Sequence, residues 1–217
     1  MAVLARDKGY DRTRLLKRAA DARKKRKHKK AIALYRQVLQ VEPNNFELHQ
    51  KLAPLLAQTR QGPEALVSFN KAAQGLVVQG FDDRAIGLYH AAVRSLPLET
   101  SLWLSLAELE AGRDRKADAV KALLDGRRHF RSRKQRPQAI QLLIRARKIE
   151  RTNFAVSYDL ACLLSKTGEG LYAMRLLDEL AARANRRNLR RVRGRQLWIA
   201  PSGGGLIRYL RALLLGR

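Results

Sequence analysis

The sequence predicts an all-α fold, an α-solenoid of antiparallel helical hairpins with about ten helices and a short C-terminal helix. Three observations support this prediction. Apolar side chains recur at helical spacing along most of the 217 residues. Gly and Pro punctuate them so that loops of about two to five residues force antiparallel neighbours. A pattern of small and aromatic residues also repeats at intervals of about 54 residues, which is typical of stacked repeats.

The repeat is clearest in residues 31–45, where apolar side chains fall on one helical face and Pro43 ends the helix. The small residue that opens this stretch, Ala31, has equivalents one and two intervals later, at Ala85 and Ala139. A second small residue keeps the same interval, at Ala65, Ala119 and Ala173. The chain is therefore predicted to contain three units of three helices each.

The elements follow in order. Helices are predicted at about 10–30, 31–42, 46–59, 64–79, 83–96, 99–111, 115–130, 137–150, 153–167 and 170–184. Pro63 and Pro137 stand where a first helical turn accepts proline. Asp114 and Asn153 are candidate N-caps. Pro54 lies inside the third helix and is expected to kink it.

Residues 10–184 are predicted to form the repeat domain, and residues 185–217 a basic, glycine-containing tail. Residues 201–205, Pro-Ser-Gly-Gly-Gly, favour a flexible joint. A short amphipathic helix follows it, with Leu and Ile on one side and Arg208 and Arg211 beside them. This helix has three possible roles: a cap on the last repeat, a contact with an anionic membrane surface, or a docking peptide for a partner.

The helix pairs resemble the tetratricopeptide repeat. Residues that match the first helix of that motif are Trp103, Leu106 and Ala107, with Glu110 where Tyr is usual. Residues that match the second helix are Ala85, Tyr89, Ala92 and Pro97. The resemblance covers about residues 12–184, and it implies a non-catalytic adaptor whose concave groove holds a peptide or helix of a protein partner. The second-helix pattern recurs after only 20 residues between Ala65 and Ala85. The sequence therefore does not decide which helices form the inner layer of the solenoid.

Charge is the strongest compositional feature, because the formal net charge is +26. Residues 6–30, 127–151 and 186–217 carry about +10, +9 and +9, whereas the segments between them are almost neutral. Such an excess indicates an anionic partner: an acidic protein, a nucleic acid (RNA or DNA) or an anionic membrane surface. Aromatic residues are scarce near these segments, which favours sequence-independent contact.

The basic residues fall at one phase of the repeat, where a third helix turns into the next unit. The first basic cluster is Arg23, Lys24, Lys25, Arg26, Lys27, Lys29 and Lys30. The second is Arg127, Arg128, Arg131, Arg133, Lys134 and Arg136, and the third is Arg186, Arg187, Arg190 and Arg191. The equivalent turn at 77–84 is not basic. Because each unit has three helices, the first two clusters are predicted to share one edge, at most about 50–60 Å apart, and the third the opposite edge.

These three clusters are the predicted contacts with an anionic partner. Offsetting helix dipoles would explain one or two cations per turn but not six or seven. The predicted contacts of the tail are Trp198, Ile207, Arg208, Leu210 and Arg211.

Little in the sequence suggests catalysis. The four histidines are scattered, and no metal-ligand spacing, nucleophile elbow or Walker motif occurs, so neither an enzyme nor a cofactor is predicted.

The N-terminus has no apolar signal region, no 18-residue apolar run exists, and the single cysteine, Cys162, lies among apolar residues. A cytoplasmic protein is therefore expected, with Cys162 as a packing residue. The first hypothesis is a scaffold for a protein partner; the alternatives are a nonspecific nucleic-acid binder and a peripheral membrane scaffold.

Overall fold

A computed structural model describes residues 11–214, and these form twelve α-helices and one short 3-10 turn, without a β-strand in that range. The helices are α1 Arg12–Lys24, α2 His28–Val41, α3 Phe46–Gln58, α4 Gly62–Val78, α5 Asp82–Ser95, α6 Thr100–Gly112, α7 Lys116–Arg127, α8 Arg136–Ile149, α9 Phe154–Leu164, α10 Gly170–Ala181, α11 Arg186–Ile199 and α12 Gly203–Leu214. The chain divides into two compact units between Leu102 and Trp103, within α6. The fold is the predicted tetratricopeptide-like α-solenoid class.

Helices two apart in the chain share a layer within each unit. In unit 2, the Arg127 side chain of α7 donates a hydrogen bond to Asp159 of α9, which is 32 residues away (2.7 Å). The Tyr158 hydroxyl of α9 likewise donates to the Arg191 carbonyl of α11, 33 residues away (3.3 Å). In unit 1, α3 packs on both α4 and α5. Alternate helices therefore form the layers, and the local period is close to that of the tetratricopeptide repeat, about 34 residues.

The repeated small residues lie where helices cross closely. All six alanines of the two repeat markers are fully buried: Ala31, Ala65 and Ala85 in unit 1 and Ala119, Ala139 and Ala173 in unit 2. Their aromatic partners Tyr35, Phe69 and Tyr89 are buried as well. A larger side chain at an alanine position would separate the helices, so these residues set the helix spacing.

Helix starts agree only in part with the predicted caps. The Asn153 side chain accepts a hydrogen bond from the Val156 amide (3.2 Å), as predicted, and Pro63 and Pro137 lie in the first turns of α4 and α8. The prediction for Asp114 was wrong, because Arg115 is the N-cap of α7. Asp114 instead adopts a left-handed conformation (φ 60°) in the turn before it.

The first predicted helix, 10–30, was too long. Residue 10 lies outside the described residues, α1 ends at Lys24, and α2 begins at His28. Arg26 turns the chain with φ 54°. This conformation is usual for glycine rather than arginine, so the sequence does not mark the turn. The basic run therefore spans the end of α1, the turn and the start of α2.

The C-terminal region is more helical than predicted. Residues 186–199 form α11, which packs on α10 and α12, with Val192 fully buried. The glycines predicted to form a flexible joint instead begin α12. The Gly205 amide donates to the Ser202 hydroxyl (3.0 Å), and a Cβ on Gly205 would lie 3.4 Å from Leu197. This cap and the close approach to Leu197 explain why the glycines are ordered.

Two glycines of unit 1 provide a test of the packing of α3 on α4, because replacing them by alanine should change the free energy of unfolding in opposite directions. A Cβ added at Gly75 of α4 would overlap the Phe46 side chain, whereas one at Gly87 of α5 would meet open space. Gly75→Ala should lower the free energy of unfolding by about 1–3 kcal/mol. Gly87→Ala should raise it by about 0.5–1 kcal/mol through helix propensity. Urea unfolding of both variants measures this difference, and equal effects would contradict the packing of α3 on α4.

Stability should also depend on pH through His49. Its Nε2 lies 3.0 Å from the Pro43 carbonyl and its Nδ1 lies 3.4 Å from the Ser68 hydroxyl. Burial lowers the pKa of His49 from 6.5; Lys71 lowers it further, against the opposing Pro43 hydrogen bond. Protonation therefore favours the unfolded chain, so this contribution is complete above about pH 6.5 and is lost as the pH falls below it. His49→Gln should weaken the pH dependence of urea unfolding in that window; an unchanged dependence would exclude His49 as its source.

Candidate functional site

All seven cations of the first basic cluster are exposed, and none has a carboxylate partner among residues 11–214. Arg23 and Lys24 lie in the last turn of α1, where the helix dipole favours positive charge. Lys29 and Lys30 lie in the first turn of α2, where the dipole disfavours it. The cluster is therefore not explained by helix capping.

The equivalent turn between α4 and α5 shows the ordinary arrangement. Asp82 and Asp83 occupy the first turn of α5, where negative charge is favourable. The same turn geometry thus accommodates acidic residues. The lysines of α2 are a departure that costs local stability.

The structure separates the second basic cluster into paired and unpaired cations. Arg127 is ion-paired with Asp159 of α9, and their side chains are 25% and 31% exposed. Arg128 pairs with Asp125 one turn earlier (2.8 Å). These two arginines are predicted contacts whose charges are already compensated. Sequence reasoning did not anticipate the Asp159 pair, because its partners are 32 residues apart.

The other members of the second cluster carry uncompensated charge. Arg131 donates to the Arg128 carbonyl and Arg136 to the Lys166 carbonyl, each at 3.0 Å. Arg133 and Lys134 lie in the 3-10 turn Arg133–Gln135 and are exposed, with no carboxylate partner in the described chain. These four side chains present positive charge at the start of α8.

The third basic cluster forms the N-terminal half of α11. Arg186 and Arg187 are exposed in the first turn, which has no acidic residue. Arg190 donates from Nε to the Ala212 carbonyl of α12 (3.1 Å). Arg191 stacks on Tyr158 of α9, with 4.5 Å from its Cζ to the ring centroid. The third cluster is therefore partly built into the packing of α9, α11 and α12.

Within unit 2, the second and third clusters lie at opposite ends of α9. Arg136 reaches the Lys166 carbonyl just beyond the C-terminus of α9. Arg191 stands over Phe154, the first residue of α9, with 5.6 Å from Cζ to the ring centroid. The first cluster lies in unit 1 and the second in unit 2. That these two clusters share one edge therefore stays a prediction.

The predicted tail contacts lie on the last two helices. Trp198 of α11 is 60% exposed, and Ile207 and Leu210 of α12 are also exposed, together with Arg208 and Arg211. Ala212 and Gly205 face inward and are buried. Among the described residues no helix is long and apolar enough to cross a membrane.

Arginine and aromatic side chains meet in an open pocket of unit 2 that the sequence did not reveal. Its volume is about 440 Å³. It is lined by Tyr158, Arg190, Arg191, Gly194, Arg195, Trp198 and Tyr209. These residues belong to α9, α11 and α12, so the rings are distant in sequence. We name it the arginine–aromatic pocket.

Tyr158 lines this pocket, and Cys162 holds one of its arginines in place. The Arg195 Nε donates to the Cys162 sulfur at 3.1 Å. Burial raises the pKa of Tyr158, and Cys162 adds to the increase. Tyr158 is therefore a neutral ring at physiological pH. Cys162 is buried, as the sequence predicts. No group of three His, Cys, Asp or Glu side chains in residues 11–214 is arranged to hold a metal ion.

No protein-family model matches the chain, and no curated protein matches its sequence. Solved structures do align with it. A tetratricopeptide repeat protein from Bacteroides fragilis NCTC 9343 is 14% identical, with 94% of this chain and 99% of that chain covered and a TM-score of 0.47. MamA is 17% identical, with coverage of 90% and 92% and a TM-score of 0.34.

Another aligned structure is the human IFIT1 dimer with PPP-AAAA, which is 21% identical, with 85% of this chain but 45% of that chain covered and a TM-score of 0.35. These likenesses concern the helical-repeat fold alone. They assign neither a partner nor an activity to this chain.

The division of the second cluster can be tested with two variants that each remove one positive charge. Arg127→Gln should lower the free energy of unfolding by about 1 kcal/mol, because Asp159 loses its partner. Arg133→Gln should leave stability within about 0.5 kcal/mol but should elute from a heparin column at lower salt than Arg127→Gln. Urea unfolding and the elution salt measure the two effects. The division is wrong if Arg127→Gln shows the larger elution shift.

Proposed function

We propose that this protein is a non-catalytic helical-repeat scaffold that binds an acidic protein partner through its basic clusters. The observation that carries the proposal is the first basic cluster, whose seven exposed cations have no carboxylate partner in the described chain. The tetratricopeptide-like layers supply the scaffold, and the turns between helices supply the charge.

The electrostatic cost of the cluster supports a role in binding. Seven cations within residues 23–30 repel one another, and cations in a first turn oppose the helix dipole. The chain accepts both costs at this turn, although the equivalent turn before α5 is followed by aspartates. An acidic partner would remove both penalties on binding.

The chemistry of the first cluster fits carboxylates. It contains lysines and arginines at one turn, and the Phe, Tyr or Trp that is nearest in the described sequence, Tyr35, is buried. Attraction there depends on charge alone, and exposed lysines can follow a flexible acidic segment. A short run of Asp or Glu is enough to span one such turn.

Nonspecific binding of nucleic acid is the second candidate function. The specific observation in its favour is the arginine–aromatic pocket, where rings accompany the cations. The first cluster lacks such rings, so on this protein the two functions would use different surfaces.

The acidic-partner proposal predicts specific losses of affinity for a labelled peptide of ten glutamates. Lys24→Gln combined with Lys25→Gln should weaken binding by about 2- to 30-fold, because each exposed pair contributes about 0.2–1 kcal/mol. Lys51→Gln combined with Arg94→Gln removes the same charge from the neutral body of unit 1 and should have a clearly smaller effect. Fluorescence anisotropy at two salt concentrations measures both.

Higher salt should weaken peptide binding to the unaltered protein, because the contacts are exposed. Equal losses in the two double variants would show that net charge, rather than the cluster, attracts the peptide. Absence of peptide binding at low salt would overturn the proposal.

A further inference from the structure

One face of α11 carries two arginines and a tryptophan. Arg191, Arg195 and Trp198 follow one another at spacings of four and three residues, so they share a helical face. Tyr158 of α9 and Tyr209 of α12 complete the pocket that this face lines. Three helices thus bring together aromatic rings from separate parts of the sequence.

The arginines of the pocket are held in place by their neighbours. The Arg191 Cζ lies 4.5 Å from the Tyr158 ring centroid, and the Arg195 Cζ lies 5.0 Å from that of Trp198. Arg190 and Arg195 are further anchored through their Nε atoms, to the Ala212 carbonyl and the Cys162 sulfur. Contacts through Nε and the ring face leave the terminal guanidinium nitrogens, Nη1 and Nη2, for an anion, and the anchored side chains have little conformational entropy to lose.

The pocket has no internal counter-charge. No carboxylate lines it, and Arg190, Arg191 and Arg195 have no ion pair with any described residue. The nearby acids are engaged elsewhere: Asp159 pairs with Arg127, and Asp178 accepts a hydrogen bond from Gln196 (2.7 Å). Three uncompensated arginines within six residues repel one another, which favours an anionic ligand.

Gly194 keeps the centre of the pocket open. It lies between Arg191 and Arg195 on α11, and a Cβ there would lie 3.2 Å from the Tyr209 ring. The absence of a side chain lets Tyr209 approach α11 and leaves space beside the ring. Trp198 is 60% exposed, so its indole offers surface that the protein does not cover.

We infer that the arginine–aromatic pocket binds single-stranded nucleic acid, with a base stacked on Trp198 and the adjacent phosphates held by Arg190, Arg191 and Arg195. Stacked guanidinium groups match phosphate oxygens, and exposed rings match the faces of unpaired bases. A duplex hides those faces, and an acidic peptide has no base to cover the indole. The inference is independent of the acidic partner proposed for the first cluster.

The test compares two ten-mers with equal phosphate charge, an oligothymidylate and an abasic strand, by fluorescence anisotropy with the full chain freed of nucleic acid. The oligothymidylate should bind more tightly. It should also quench tryptophan emission, because Trp198 is exposed whereas Trp103 is only 7% exposed. Trp198→Ala should weaken oligothymidylate binding by about 5- to 150-fold and leave the abasic strand almost unaffected.

Two further variants separate stacking from folding. Trp198→Phe keeps a ring and should retain most of the preference for bases. Tyr172→Ala removes another exposed ring of unit 2, outside the pocket, and should change neither affinity. Circular dichroism should show unchanged helix content in all three.

Three results would overturn the inference. The first is equal affinity for the two strands, and the second is an equal loss for both strands in Trp198→Ala. The third is displacement of oligothymidylate by a peptide of ten glutamates at comparable concentration. Loss of peptide binding in the Lys24 and Lys25 double variant bears only on the first cluster, so the two proposals fail separately.

Discussion

Close packing of helices at the buried alanines is the constraint on which the other features depend. With no side chain beyond Cβ, Ala119, Ala139 and Ala173 let neighbouring helices of unit 2 approach closely. Alternate helices then meet at offsets of 32 and 33 residues. That offset sets Arg127 beside Asp159 and Arg191 over Tyr158. Both the ion pair and the pocket wall are consequences of helix spacing.

The same packing determines where the excess charge can lie. The helix bodies are filled with apolar contacts, so cations collect at turns, where they stay hydrated. In the first cluster and at Arg133 and Lys134 nothing in the described chain neutralises them. Self-repulsion is lowest when such groups are spread over separate turns, and unit 2 places its two clusters at opposite ends of α9.

Periodicity predicted most of the fold, because apolar spacing and buried alanines are local signals. Periodicity did not predict helix ends that depend on an unusual backbone conformation or on a contact with a residue outside the helix. Arg26 turns the chain with a positive φ and so separates α1 from α2 without a glycine to mark the turn. The start of α12 at Gly203 depends on the Ser202 cap and on contact with Leu197. The basic residues were visible in the sequence, but the pocket draws its rings from three helices.

The clusters and the pocket should differ in the physics of binding. The first cluster offers exposed, hydrated lysines, whose attraction to any polyanion is screened within about 8–10 Å at moderate salt. In the pocket, Arg190 and Arg195 are anchored through Nε and Trp198 adds a ring face. Stacking on that face depends little on ionic strength. Contacts at the pocket should therefore outlast those at the cluster as salt rises, and they alone would distinguish a base from a carboxylate.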